Sequence, residues 1–254
     1  MNRVKKDIKP VKLWTPDYNK RTPESLFKTV LKRSEFATRS TLALTRPIAP
    51  NIEVFANTDV LKTMATGPAV WAFNHLDFSD PVVVGAIAHR LGLQLPRFAA
   101  MAELFDEDHP LFAQYVASNG GFPLDRAELM SGRLDTVKQF LRVTDYILTK
   151  LEEPLVLFPE GGIYDKPKGY ANKISGVTDT VMKIAKRNNV PLVVGGLAGT
   201  RYLTIKAPLP GRMKKVGVAL THIFEPDELP ENADALRSIM QKEANIALAV
   251  SKES

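Results

Sequence analysis

At 254 residues, 44% apolar and 24% charged, the chain has the composition of a folded protein, long enough for one large α/β domain or two small ones. It has no cysteine, which excludes disulfides, a thiolate nucleophile and cysteine-based metal sites. The net charge of +6 is unevenly placed: residues 1–50 carry 12 Lys and Arg against 4 Asp and Glu, and the remainder carries 22 against 24. Basic character with apolar residues attached points to an anionic partner, an acidic membrane surface or a nucleic acid; the plain alternative is a solubilising arm. No apolar run follows the basic start Met1–Asp7, so no secretory leader is expected. None approaches the ~20 residues of a membrane-spanning helix.

Residues 1–21 are polar and interrupted by Pro10 and Pro16, which predicts an irregular arm. Thr22-Pro23-Glu24 predicts a helix start, with Thr22 as N-cap and Pro23 in the first turn. Leu26, Phe27, Val30, Leu31 and Ala37 then share one face, and Lys28, Lys32, Arg33 and Arg39 lie beside or opposite it. Two expectations fit that face: lying in a membrane interface, or packing on the body. Arg46-Pro47-Ile48-Ala49-Pro50 ends the segment and divides a 1–50 arm and amphipathic helix from a main domain over 51–254.

Beyond Pro50, strands are predicted at 52–55, 68–73, 96–101, 121–124, 155–158, 191–197 and 216–220. Helices are predicted at 80–91, 110–117, 129–150, 175–187 and 233–250. Continuous apolar strands alternating with helices imply an α/β fold, a mainly parallel central sheet covered by helices on both faces.

In such sheets reactive groups collect where strands end. Asn74-His75-Leu76-Asp77-Phe78-Ser79-Asp80 places a His five residues before an Asp across a turn into a helix. A carboxylate there can fix the imidazole tautomer and make His75 a general base oriented by Asp80; the alternative is a turn-capping pair. With no cysteine and no Gly-x-Ser-x-Gly elbow, that base would activate an external hydroxyl or water. Arg126, closing Gly120-Gly121-Phe122-Pro123-Leu124-Asp125-Arg126, can fork onto a phosphate or pair with Asp125 or Glu128. In Phe158-Pro159-Glu160-Gly161-Gly162, the two glycines let backbone N–H groups approach an anion, or form an ordinary turn. His89, His109 and His222 have no metal-ligand spacing, and no nucleotide-binding loop is present, so neither metal nor cofactor is expected. A nucleic-acid partner is not expected either, since the cations lack interleaved aromatics and the body is nearly neutral.

Those three blocks, followed in order by Val190-Pro191-Leu192-Val193-Val194, resemble the four blocks of the PlsC-like glycerolipid acyltransferases, the lysophosphatidic acid acyltransferase group, over roughly residues 50–200. The resemblance implies acyl transfer from acyl-CoA or acyl-carrier protein to the free hydroxyl of 1-acylglycerol-3-phosphate, giving phosphatidic acid. It implies His75 as the base in an HX4D motif, Asp80 as its orienting acid, and Arg126 on the acceptor phosphate. Glu160, Gly161 and Gly162 would bind the acceptor end. The family continues after Glu-Gly with Thr-Arg-Ser; here the chain reads Gly162-Ile163-Tyr164-Asp165-Lys166-Pro167-Lys168, so Lys166 or Lys168 would replace the missing charge, or the acceptor differs. The expected setting is the cytoplasmic side of an anionic membrane, held peripherally. Two further readings stand beside it: the same chemistry on another lysophospholipid or lipid-like alcohol, and a non-catalytic lipid-binding protein of this fold.

Overall fold

Val70–Phe73 forms β2 with every side chain buried, because the strand lies inside the sheet with a layer on each face. Val70 and Ala72 point to one core and Trp71 and Phe73 to the other, as the two-residue period of a strand requires. The structure, a computed structural model, describes residues 18–29, 31–36, 39, 51–105, 110–161, 173–174, 176–200 and 215–252.

Among the described residues seven strands form one sheet: β1 (Ile52–Ala56), β2, β3 (Arg97–Met101), β4 (Gly121–Leu124), β5 (Leu155–Leu157), β6 (Leu192–Ala198) and β7 (Val216–Phe224), in the order β1-β7-β6-β2-β5-β3-β4. Every pairing is parallel except β6 with β7, so β1 and β7 run against the other five. The expected mainly parallel sheet is therefore present, with a reversed edge. One face is covered by α2 (Thr58–Thr66) and α3 (Asp80–Arg90). The other holds α1 (Pro23–Thr29), α4 (Pro110–Ser118), α6 (Leu134–Thr149), α7 (Thr180–Asn188) and part of α8 (Ala233–Lys252), with the short α5 (Arg126–Met130) leading into α6. Glycine lets α8 lie directly on the strands: a Cβ at Gly217 would collide with the Ala247 carbonyl, and one at Gly196 with the backbone of Glu243. No helix among the described residues is long and apolar enough to cross a membrane.

Two elements differ from expectation for local reasons. The helix expected over 129–150 is broken into α5 and α6 at Gly132, whose φ of 73° is left-handed and ends the first piece. Helix α2 was not anticipated; Asn57 caps it by accepting the Asp59 N–H, but three threonines among its nine residues hide the helical signal.

The N-terminal segment is built into the core. Thr22 caps α1 through the Ser25 N–H at 3.3 Å, as expected, and the helix stops at Thr29. Leu26, Phe27 and Leu31 are buried against the main core, with Phe27 stacked on Tyr146 at 5.3 Å. That apolar face is thus occupied by the domain, and lying on a bilayer would require it to leave the core. Val30, Ala37 and the whole of 1–17 and 40–50 lie outside the described residues. Residues 18–29 and 31–36 cross the molecule as a strap. Gln139 donates to the Tyr18 and Arg21 carbonyls near one end of α6, and Arg33 donates to the Leu95 and Pro96 carbonyls ahead of β3, both at 2.8 Å. Arg97, Arg33 and Glu153 join there: Arg97 pairs with Glu153, donates to the Leu31 carbonyl at 2.9 Å, and lies over the Phe27 ring at 5.1 Å. Burial, and then the neighbouring Arg97 charge, push Arg33 down to about 10.

Candidate active site

β2 lies between β6 and β5, and the chain leaves it to build β3 on one side before returning to β6 on the other. Such a reversal opens a crevice beyond the carboxyl ends of the strands, and the residues after Phe73 fill it. Asn74, fully buried, continues the ladder with its side chain: Oδ1 accepts the Leu197 N–H at 2.6 Å and Nδ2 donates to the Leu197 carbonyl at 3.0 Å. Replacing Asn74 by alanine strands both backbone groups of a buried strand, and the expected cost is about 2–3 kcal/mol. An unchanged denaturant midpoint would show that the clamp contributes nothing.

Asp80 opens α3, and its carboxylate turns back into the loop. Oδ2 accepts the His75 Nδ1–H at 2.8 Å, the Leu76 N–H at 2.6 Å and the Asp77 N–H at 2.9 Å. Asp77, the other acid in the loop, accepts the Ser79 N–H at 2.9 Å through Oδ1, so Asp80 is the carboxylate paired with the imidazole. A carboxylate only accepts, so Nδ1 carries the proton and Nε2 presents a lone pair. The Asp80 side chain is fully buried and that of His75 is 16% exposed, so the pair has a dry inner end and an accessible outer one. Among the described residues, no hydrogen-bond partner occupies Nε2. The His75 ring also stacks on Phe158 at 4.2 Å and 18°, which fixes its plane.

Phe158 and Glu160 follow β5 in a turn closed by the Gly161 N–H donating to the Phe158 carbonyl at 2.9 Å. Gly161 has a φ of 72°, which only glycine adopts without strain. Glu160, expected at the acceptor end, is buried, and its Oε1 accepts the His75 main-chain N–H at 3.0 Å. Gly161 is exposed, and Gly162, Lys166 and Lys168 lie outside the described residues.

Arg126 is the first residue of α5, at the carboxyl end of β4, and its side chain lies outside the described residues. The carboxylates that offered it a surface ion pair are engaged elsewhere: Asp125 caps α5 through the Glu128 N–H at 2.8 Å, and Glu128 pairs with Arg133 and accepts the Thr136 hydroxyl at 2.6 Å. Between β2 and β4 lie β5 and β3, so Arg126 starts about 14 Å from His75 along the sheet edge. Among the described residues no three His, Asp or Glu side chains cluster as metal ligands would. The roles of Asn74 and Phe158 were missed, although both sit beside expected site residues; a polar amide ending an apolar strand was the available signal.

A family model described as Acyltransferase matches residues 52–195, over half of the chain, and spans His75, Asp80, Arg126 and Glu160. The chain belongs to the acyltransferase family. No curated protein matches this acyltransferase by sequence. Among solved structures, its fold is similar to that of the 1-acyl-sn-glycerophosphate (LPA) acyltransferase PlsC from Thermotoga maritima. The TM-score is 0.56 and the identity 18%, over 92% of this chain and 83% of that one. At that identity the likeness is one of fold.

Proposed function

We propose that this acyltransferase moves a fatty acyl group from an acyl thioester, acyl-CoA or acyl-carrier protein, to the free hydroxyl of 1-acylglycerol-3-phosphate, giving phosphatidic acid for phospholipid synthesis. The supporting observation is the His75–Asp80 pair, which leaves Nε2 as an acceptor at an accessible edge. Nε2 takes the proton of the acceptor hydroxyl as its oxygen attacks the thioester carbonyl carbon. Asp80 stabilises the imidazolium through the Nδ1–H bond. The tetrahedral intermediate expels the thiolate, the C–S bond breaks, and the Nε2 proton goes to sulfur. No acyl-enzyme forms, in keeping with the absence of cysteine, and the cycle balances with the two substrates alone. Arg126 and the loop through Gly161, Gly162, Lys166 and Lys168 hold the acceptor's phosphoglycerol end.

A second acceptor class is favoured by one observation, the Gly162-Ile163-Tyr164 run that stands where the family carries Thr-Arg-Ser. The test is a panel of lysophosphatidic acid, other lysophospholipids and phosphate-free lipid alcohols, each offered with acyl-CoA and with acyl-carrier protein. Highest turnover on lysophosphatidic acid is expected. Turnover on phosphate-free acceptors with none on lysophosphatidic acid would replace the acceptor while keeping the chemistry.

The acyltransferase is proposed to act peripherally on the cytoplasmic side of an anionic membrane. Exposed Phe78, Met101, Leu111, Phe112 and Leu134 all belong to segments at the carboxyl edge of β2–β4, where the site opens and a lipid acceptor would enter.

A further inference from the structure

The parallel register of β2 and β5 runs Val70↔Leu155, Trp71↔Val156, Ala72↔Leu157, and then β5 ends. Continued by three residues, the same register brings His75 level with Glu160. The main-chain ladder has stopped there, yet the His75 N–H is still bonded towards β5, because Glu160 Oε1 reaches back and accepts it at 3.0 Å. On the other side of β2, the Asn74 side chain does the same towards β6. The two residues that leave the strand are thus held through side chains on both flanks, Glu160 on one and Asn74 on the other.

We infer that Glu160 is a positioning residue for the base: its buried carboxylate fixes the backbone of His75. It does not bind the acceptor. Three features of the 158–161 turn converge on this. Phe158 stacks on the imidazole and sets its plane. Gly161, with its φ of 72°, lets the turn fold back so that Glu160 faces inward. Glu160 itself is 3% exposed, although the next residue is open to solvent. One turn therefore holds the ring face and the main chain of His75, while Asp80 holds the ring nitrogen. Nε2 is located by three contacts from two different segments. A shift of the His75 Cα moves Nε2 with it, and misplacement of a catalytic atom by about 1 Å costs on the order of 100-fold in rate.

This inference rests on the reading of His75 as the base, and its experiment separates the two. Glu160→Ala and Glu160→Gln are compared with the wild type in steady-state kinetics on the best acceptor of the panel. Amide hydrogen exchange is followed at His75 in all three. Glutamine keeps an acceptor oxygen at the same reach, so Glu160→Gln is expected to retain His75 amide protection and kcat within about threefold. Glu160→Ala is expected to lose protection and to lower kcat by roughly 10- to 100-fold, with the acceptor KM within about twofold. A tenfold rise in acceptor KM at unchanged kcat in the alanine variant would overturn the inference and return Glu160 to the acceptor site. So would full protection of the His75 amide in that variant. Should Glu160→Ala fail to fold, Glu160→Asp, which withdraws the acceptor by one methylene, must show the same kcat-only loss. Exchange at the His75 amide needs no turnover, so loss of protection supports the contact even if every acceptor fails, an outcome that would count against the proposed reaction alone.

Discussion

Replacing His75 by glutamine is expected to lower acyl transfer by on the order of 10³-fold while leaving the thermal midpoint nearly unchanged. The ring is partly exposed at its outer edge, and its removal costs one stacking contact and one hydrogen bond. The loss is predicted in kcat, because a general base acts in the transition state and contributes little to ground-state affinity. Asp80→Asn should come close to the same activity loss by a different route. The two backbone N–H groups of Leu76 and Asp77 hold the amide oxygen at the Oδ2 position, where it still accepts the Nδ1–H bond, but its charge is gone. Without the carboxylate charge, the imidazolium formed as Nε2 takes the hydroxyl proton is no longer stabilised, and the ring is a weaker base. Asp80→Asn therefore falls roughly 10²–10⁴-fold and should add little to a His75→Gln, Asp80→Asn double variant, since residues acting as a unit are not additive. Losses that multiply in the double variant would mean that Asp80 acts on something other than His75.

The largest expected effect on stability lies far from the site, at Arg97. Its side chain is nearly buried, pairs with Glu153, bonds the Leu31 carbonyl and lies over Phe27. Arg97→Met preserves much of the volume but leaves Glu153 facing only Arg33 at 3.7 Å. Removing one member of a buried pair costs about 3–5 kcal/mol, and the partial exposure of Glu153 and the remaining Arg33 reduce this to about 3 kcal/mol. In a chain of this size that lowers Tm by roughly 6–12 °C. The strap should also loosen first, seen as earlier proteolysis around 18–36 than in the wild type. A fall below 1 kcal/mol would indicate that the cluster is better solvated than its burial implies.

The parts of the chain that sequence made readable are those whose physics is local. The strand-turn-helix around His75 announces itself because an apolar run meets polar residues and then Asp80-Pro81, an acid and a proline that both suit a first helical turn. The order of the four blocks was equally visible. What stayed hidden was the far end of each contact. Glu160 is separated from His75 by 85 residues and Asn74 from Leu197 by 123, and nothing in either neighbourhood shows where the side chain goes. The reversed β7 was unreadable for the same reason, because direction depends on a crossover and not on strand composition. Helix α1 was found, but its apolar face could serve a bilayer or a core equally well until Phe27 and Leu31 acquired partners.

The strap has a consequence for how the chain reaches its fold. Asn19 bonds Thr136 and Tyr18 bonds Gln139, over separations of 117 and 121 residues. A ribosome delivers the strap well before its anchorage, so Leu26, Phe27 and Leu31 stay without their partners until α6 and Glu153 have emerged. During synthesis that interval is a window in which three apolar side chains and two arginines are available to other molecules, and closing it is a late, long-loop step. The strap is thus secured only after more than a hundred further residues have followed it.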